Sequence, residues 1–230
     1  MDALERLASI GADLLHRVDG VLVAGGAPAG DPLWPLLRQV GALPGDALDF
    51  GLKLSPPALR EAAARLRADA ERFARRRERL AADLGAAAGG WEGSGAEAFA
   101  ARWQSLAGHI GDGSDPVTIA GRLRATAAYA DAVAGWAEGL RHELAEAVAR
   151  VATSVEAVTI RGTRPDAPPP AAVLEAAARI GARVLQPVAD AFDAARDLER
   201  RWSPELAELR YTEPTSTQSA TTLPITRVTL

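Results

Sequence analysis

Apolar residues recur at alternating steps of three and four along two long stretches of this chain. That spacing admits little except long helices packed side by side. In the first stretch Leu59, Leu66, Phe73 and Leu80 fall seven apart, and Ala63, Ala70 and Leu84 follow the first, second and fourth of these by four. Arg77 interrupts the seam. In the second, Leu123, Ala127, Ala130, Val133, Ala137, Leu140, Leu144, Ala147, Val151, Val155 and Val158 carry the repeat from about Val117 to Ile160. One helix over that range would be about 65 Å long at 1.5 Å per residue. A 3.5-residue repeat sustained this far predicts an elongated bundle or coiled coil, and its many alanines predict close axes.

Between the two stretches lies Gly89-Gly90-Trp91-Glu92-Gly93-Ser94-Gly95-Ala96-Glu97-Ala98-Phe99. Two glycines suit the end of a helix, where a residue with positive φ is wanted. Ser94 and Glu97 have the spacing of a capping box for the next helix. The expectation is a helical hairpin turning around Trp91. Beyond it Ala96, Phe99, Ala100, Trp103, Leu106 and Ile110 form one apolar face, up to a break from Gly108 to Pro116. Asp115-Pro116 reads there as an N-cap with Pro at N1.

Upstream, Asp2 and Glu5 fit a capping box for a first helix with Leu4, Leu7, Gly11, Leu14, Leu15 and Val18 on one face. Gly20 to Gly30 reads as a loop. Asp31-Pro32 opens a short helix with Trp34, Leu37 and Val40 inward. From Ala42 to Pro57 three prolines and two glycines predict an irregular connector, with a short strand admitted by the alternation of Leu48, Phe50, Leu52 and Leu54. Downstream, residues 161–170 read as a Pro-rich linker. An amphipathic helix follows from Val173 to Leu198, which Pro187 is expected to kink or divide, and Trp202 to Glu205 start one more turn. Residues 211–230 lose hydrophobic spacing and read as a disordered tail. The fold class is thus all-α. Residues 1–54 form short helices and a connector, 55–160 the hairpin domain, 161–170 the linker, 171–210 C-terminal helices and 211–230 the tail.

Composition narrows function. The net charge is −4, so the balance suggests neither a nucleic-acid nor an anionic-membrane partner. The run Arg75-Arg76-Arg77-Glu78-Arg79 spreads around the helix beside Glu71 and Asp83, which reads as a solvated face. There is no cysteine, which excludes thiol catalysis. His16, His109 and His142 stand apart, without zinc spacing, and Arg141-His142-Glu143 reads as an exposed side of the long helix. Asp112 and Asp115 do not fit a calcium loop. No Gly-rich phosphate loop or nucleophile elbow is present. No metal, cofactor or catalytic set is therefore expected. No apolar run reaches the about 20 residues of a membrane span. Met1-Asp2-Ala3-Leu4-Glu5-Arg6 lacks a basic start, so any export is expected without a Sec leader.

Trp91-Glu92-Gly93, followed by Ala96, Ala98-Phe99 and Trp103, resembles the W-x-G turn of the WXG100-like proteins of type VII (ESX) secretion. Leu123-x-x-Thr126-Ala127-x-Tyr129-Ala130-x-x-Val133 is similar to the helix that follows in longer actinobacterial relatives, including PPE-like proteins and N-terminal modules of secreted toxins. The resemblance covers about Ser55 to Val158. It implies a non-catalytic protein acting through helix–helix binding, as a secretion substrate or its partner or chaperone. It would reside in the cytoplasm before export without a Sec signal. Its partners would be another WXG100-like helical protein or a second copy, with a secretion ATPase or a toxin chain as further candidates. Trp91, Gly93, Phe99, Trp103, Tyr129 and Trp136 are the expected binding residues. The family's export signal, Tyr with an acid four residues later, is not met: Val133 follows Tyr129 at that spacing and Thr215 follows Tyr211. The alternatives are a cytoplasmic helical adaptor unrelated to secretion and the delivery module of a polymorphic toxin system.

Overall fold

The apolar periodicity is realised as eight helices in a computed structural model that describes residues 1–163 and 168–209. They are α1 (Ala3–Gly25), α2 (Leu33–Val40), α3 (Pro44–Lys53), α4 (Pro56–Ala87), α5 (Ser94–Ile110), α6 (Ile119–Ala152), α7 (Val155–Arg161) and α8 (Ala171–Glu208). No strand occurs among the described residues. The tail expected over 211–230, and 164–167 of the expected linker, lie outside them.

Helix α6 is the central member. Arg60 pairs with Glu138 and Arg67 with Asp131, so each step up α4 is matched by an equal step back along α6, and the two run antiparallel. Small residues make this contact close: Ala63 and Ala70 of α4 and Ala127, Ala134 and Ala137 of α6 are all fully buried. On another side α8 also runs antiparallel to α6, with Trp136 bonded to the Ala191 carbonyl and Tyr129 against Trp202. The main core lies toward the other end of α6. There Leu140, Leu144, Val148 and Val151 meet Leu4, Leu14, Leu15 and Val18 of α1, Leu48 of α3, and Ile180, Val184 and Leu185 of α8. Neither α4 nor α5 supplies a buried member of that core.

One buried charge ties these layers together. Arg141 is 5% exposed. It donates to the Gly51, Leu52 and Leu54 carbonyls at the end of α3, at 2.7, 3.3 and 2.9 Å. It also reaches Asp2 at 2.7 Å and Glu5 at 3.3 Å, the capping box of α1. The guanidinium thus satisfies carbonyls that a helix C-terminus leaves unpaired. Its bond to Asp2 holds that carboxyl below its ordinary range, with help from the Glu5 and Leu4 N–H groups. The reading of 141–143 as an exposed side holds for His142 and Glu143 and fails for Arg141. Packing beside the hub is tight: a Cβ on Gly51 would come within 2.6 Å of Leu144.

Several local expectations are corrected. Helix α1 runs on to Gly25, through half of the expected loop, because Leu22 still finds the core. Helix α2 buries Leu33 and Leu36, while Trp34 faces outward and donates to the Pro28 carbonyl. The connector is helix α3. Pro44, Ala47, Leu48 and Gly51 fall on one helical face, and burial of that face overrides the short alternation that admitted a strand. The cap of α6 is Thr118, which accepts from the Gly121 N–H, in place of Asp115. The single helix expected from Val117 to Ile160 breaks at Thr153-Ser154. Ser154 caps the Ala157 N–H and starts α7, leaving Val155 and Val158 exposed. Pro187 does not divide α8, which also takes in Trp202 to Glu205.

Asp19 of α1 takes the Gly45 N–H of α3 on both oxygens, at 3.0 and 3.3 Å. Desolvation pushes its carboxyl up to about 6; the Gly45 bond opposes this, Asp46 adds to it, His16 opposes it and Asp49 adds to it.

Arg141→Ala leaves the α3 carbonyls without their donor and takes the guanidinium from Asp2 and Glu5, which keep only their capping-box bonds and the contact of Glu5 with the N-terminal amine. Denaturant unfolding is expected to show a loss of about 3 kcal/mol. Asp19 titrates higher folded than unfolded, so its contribution is full below 3.8 and is lost as pH rises through about 6. Melting temperatures measured from pH 4 to 7 are expected to fall less in Asp19→Asn than in the parent.

Candidate binding surface

The turn after α4 is built from backbone. The Trp91 N–H donates to the Ala88 carbonyl at 2.9 Å, and the Glu97 N–H to the Gly93 carbonyl at 3.1 Å. Gly90 and Gly93 sit at φ 99° and 95°, which a side chain would strain. Gly93 is the N-cap of α5, with no side-chain bond, so the expected Ser94–Glu97 capping box does not form. Ser94 is the first residue of the helix itself, one position too late to cap it.

Trp91 is 55% exposed. Its ring lies 5.6 Å from that of Phe99, tilted at 45°, and its edge passes over Gly95. The side chain therefore lies against the first turns of α5 and is not a core plug. An open groove of about 610 Å³ separates α4 from α5 here, lined by Leu84 and Ala88 on one side and by Phe99 and Trp103 on the other, with Trp91 at its end. Helix α5 has no buried residue although apolar side chains line one of its faces. Phe73 and Leu80 continue the apolar row down α4, 42% and 37% exposed.

Trp91, Gly93, Phe99 and Trp103 thus come together at one end of the molecule. Tyr129 and Trp136 belong elsewhere, at the α6–α8 contact. The Tyr129 ring meets Trp202 edge-on at 5.6 Å, and Trp136 donates its indole N–H to the Ala191 carbonyl at 2.8 Å. A second groove of about 570 Å³ passes between them, lined also by Val133, Leu198 and Leu206. Both rings act as packing edges, each with its partner on α8.

The charged residues near the tip are in ordinary surroundings. Arg72 pairs with Asp69 and Arg75 with Glu71, as solvated helix faces do. Asp112, just past α5, is held below its usual range by the Ser114 hydroxyl, then by the Ser114 N–H. Among the described residues no cluster of three metal-ligating side chains forms, and no helix is long and apolar enough to cross a membrane. What the tip offers is partly uncovered apolar surface on two helices joined by a glycine turn.

Comparison with known proteins picks out the same region. Residues 51–115 match the family model WXG100, proteins of 100 residues with WXG. The segment is WXG100-like, as its resemblance to type VII secretion proteins implied. The match takes in the end of α3, all of α4, the turn and α5, and leaves α1, α2, α6, α7 and α8 outside it. No curated protein matches the chain, and no solved structure does.

Trp91→Ala removes a half-exposed ring that packs only on Phe99 and the first turn of α5 at Gly95. Circular dichroism is expected to show unchanged helicity, and thermal melting a loss under about 1 kcal/mol, well short of the about 3 kcal/mol or more of a core aromatic.

Proposed function

We propose that this chain, with its WXG100-like hairpin, is a non-catalytic type VII secretion-associated protein that works by helix–helix binding. It acts as a substrate or as the partner of one. The observation that carries the reading is the α4–α5 tip, where a W-x-G turn joins two helices whose apolar faces are left partly uncovered. Trp91, Phe99 and Trp103 are the anchors of the surface, and Gly93 sets the turn that presents them. Aromatic anchors of this kind carry most of the energy of a helical interface, while the surrounding charges keep unbound faces soluble. The partner is a second WXG100-like helical chain or another copy of this one. Export, where the partner supplies a Tyr-and-acid signal, proceeds as a complex assembled in the cytoplasm.

Tyr129 and Trp136 have a secondary place in this reading. Their rings and indole N–H are engaged on α8, so they hold α6 against α8 and keep the end of α6 next to the tip in position. The core formed by α1, α3, lower α6 and α8 then serves as the base from which the hairpin projects.

Native mass spectrometry of the chain, alone and coexpressed with WXG100-like proteins encoded beside it, tests the proposal. A one-to-one complex or a homodimer is expected, weakened at least about tenfold by Phe99→Asp, which puts a charge into the apolar contact. A complex that forms equally well with Phe99→Asp, or a monomer under every pairing, overturns it.

A further inference from the structure

The groove between α4 and α5 is apolar except at two points. Among the described residues, the charges that line it are the carboxylates of Glu92 and Glu97. The ion pairs of α4 run to Glu61, Asp69, Glu71, Asp131 and Glu138, and neither Glu92 nor Glu97 pairs with a cation among the described residues. Its apolar wall is the half-exposed Trp91 with Leu84, Phe99 and Trp103. An occupant that fits is therefore short and apolar, with one positive charge.

The chain holds such a segment outside the described residues. Thr and Ser make up most of residues 212–222, and then apolar side chains return in Leu223-Pro224-Ile225-Thr226-Arg227-Val228-Thr229-Leu230. Arg227 is the one charged side chain in that run and it stands beside Val228. Leu, Ile and Val side chains gain by leaving water, and a guanidinium can bury its stem on the same surface while its head stays wet.

The distance is within reach. Arg67 meets Asp131 and Tyr129 meets Trp202, so Trp202 is roughly level with Asp69 of α4. From there α8 runs on toward the tip as far as Glu208, about 9 Å at 1.5 Å per residue. Leu84 stands about 14 Å further along α4 by the same rise. Helices α4 and α8 pack on α6 and not on each other, so about two interaxial steps of 8–10 Å separate them. The groove is thus roughly 25 Å from the end of α8, and residues 210–222 can span up to about 43 Å at about 3.3 Å each. The groove beside Tyr129 and Trp136 is nearer, but those two rings are already engaged on α8, whereas Trp91 has Phe99 alone as an aromatic neighbour.

We propose that residues 223–230 dock in the groove between α4 and α5, with Leu223, Ile225 and Val228 on its apolar wall and Arg227 at Glu92 and Glu97. The contact covers in cis the aromatic surface that the tip otherwise presents to solvent. If the tip is the partner surface proposed above, the segment is its internal competitor, and partner affinity falls in proportion to the uncovered fraction. The docking itself does not depend on that reading.

The chain has no cysteine and five tryptophans, so one nitroxide and five indole N–H signals report where the segment lies. In the full-length chain carrying a spin label on Thr229→Cys, the indole signals of Trp91 and Trp103 are expected to lose most of their intensity. Trp34, beside Gly26 at the base, is expected to keep its own. Adding Arg227→Glu is expected to restore the lost intensity, and removal of residues 223–230 from the unlabelled chain to shift the same two signals. Loss at Trp136 and Trp202 in their place puts the segment in the α6–α8 groove and overturns the proposal. Loss at no indole, or loss that persists with Arg227→Glu, overturns it too. An isotope-labelled chain mixed with a spin-labelled one tests the last alternative: loss in that mixture puts the segment on a second copy and overturns docking in cis. None of these readings involves a partner, so failure of the partner experiment is read separately.

Discussion

A guanidinium with five N–H donors has been placed where three carbonyls and two carboxylates converge, and the arrangement of the helices depends on it. Arg141 projects from the middle of α6 to the end of α3 and the start of α1. Without it, the α3 carbonyls would face a core of Leu4, Leu48 and Leu144 with no donor to meet them. Only arginine has the reach and the fork to serve both groups, since lysine offers one compact charge. Because α3 is followed almost at once by α4, the same contact also sets where α4 leaves the core. Position of the hairpin is thus decided at its root, far from its own turn.

Two kinds of packing then divide the molecule. Around lower α6 the contacts are between Leu, Val and Ile side chains, which bury large apolar areas and hold the core. Along α4 and upper α6 they are between alanines, which bring the axes close but bury little per residue. Larger side chains on the outer half of α4 and on α5 were left without such a partner. The apolar core and the partly uncovered apolar surface of the tip therefore lie in separate parts of the molecule.

The all-α class, the long α4, the turn at Trp91 and the capping box of α1 were legible because each is a local pattern, set by side-chain period or by glycine and cap chemistry. Trp91, Gly93, Phe99 and Trp103 were legible as a group for the same reason: they lie within one turn and the helix after it. Arg141 was misread as a surface arginine, although a signal existed. Ala127, Ala134, Arg141 and Val148 fall seven apart on α6 and are all buried, so a charge stands in an apolar row. Its acceptors come from α1 and α3, and nothing in the spacing of α6 names them. The connector over 42–57 failed similarly, because prolines and a short alternation outweighed a helical face whose partner is distant in sequence.

The amino-acid order by itself determined which segments are helices and where the W-x-G turn falls, since backbone preference and apolar period act over a few residues. Tertiary structure alone decided that α4 packs on α6 and not on α5, that Tyr129 and Trp136 turn toward α8, and that Arg141 is the buried joint. Those outcomes follow from which surfaces meet after the chain has folded back over tens of residues. Helical period states that a face must be covered, and the three-dimensional packing selects what covers it.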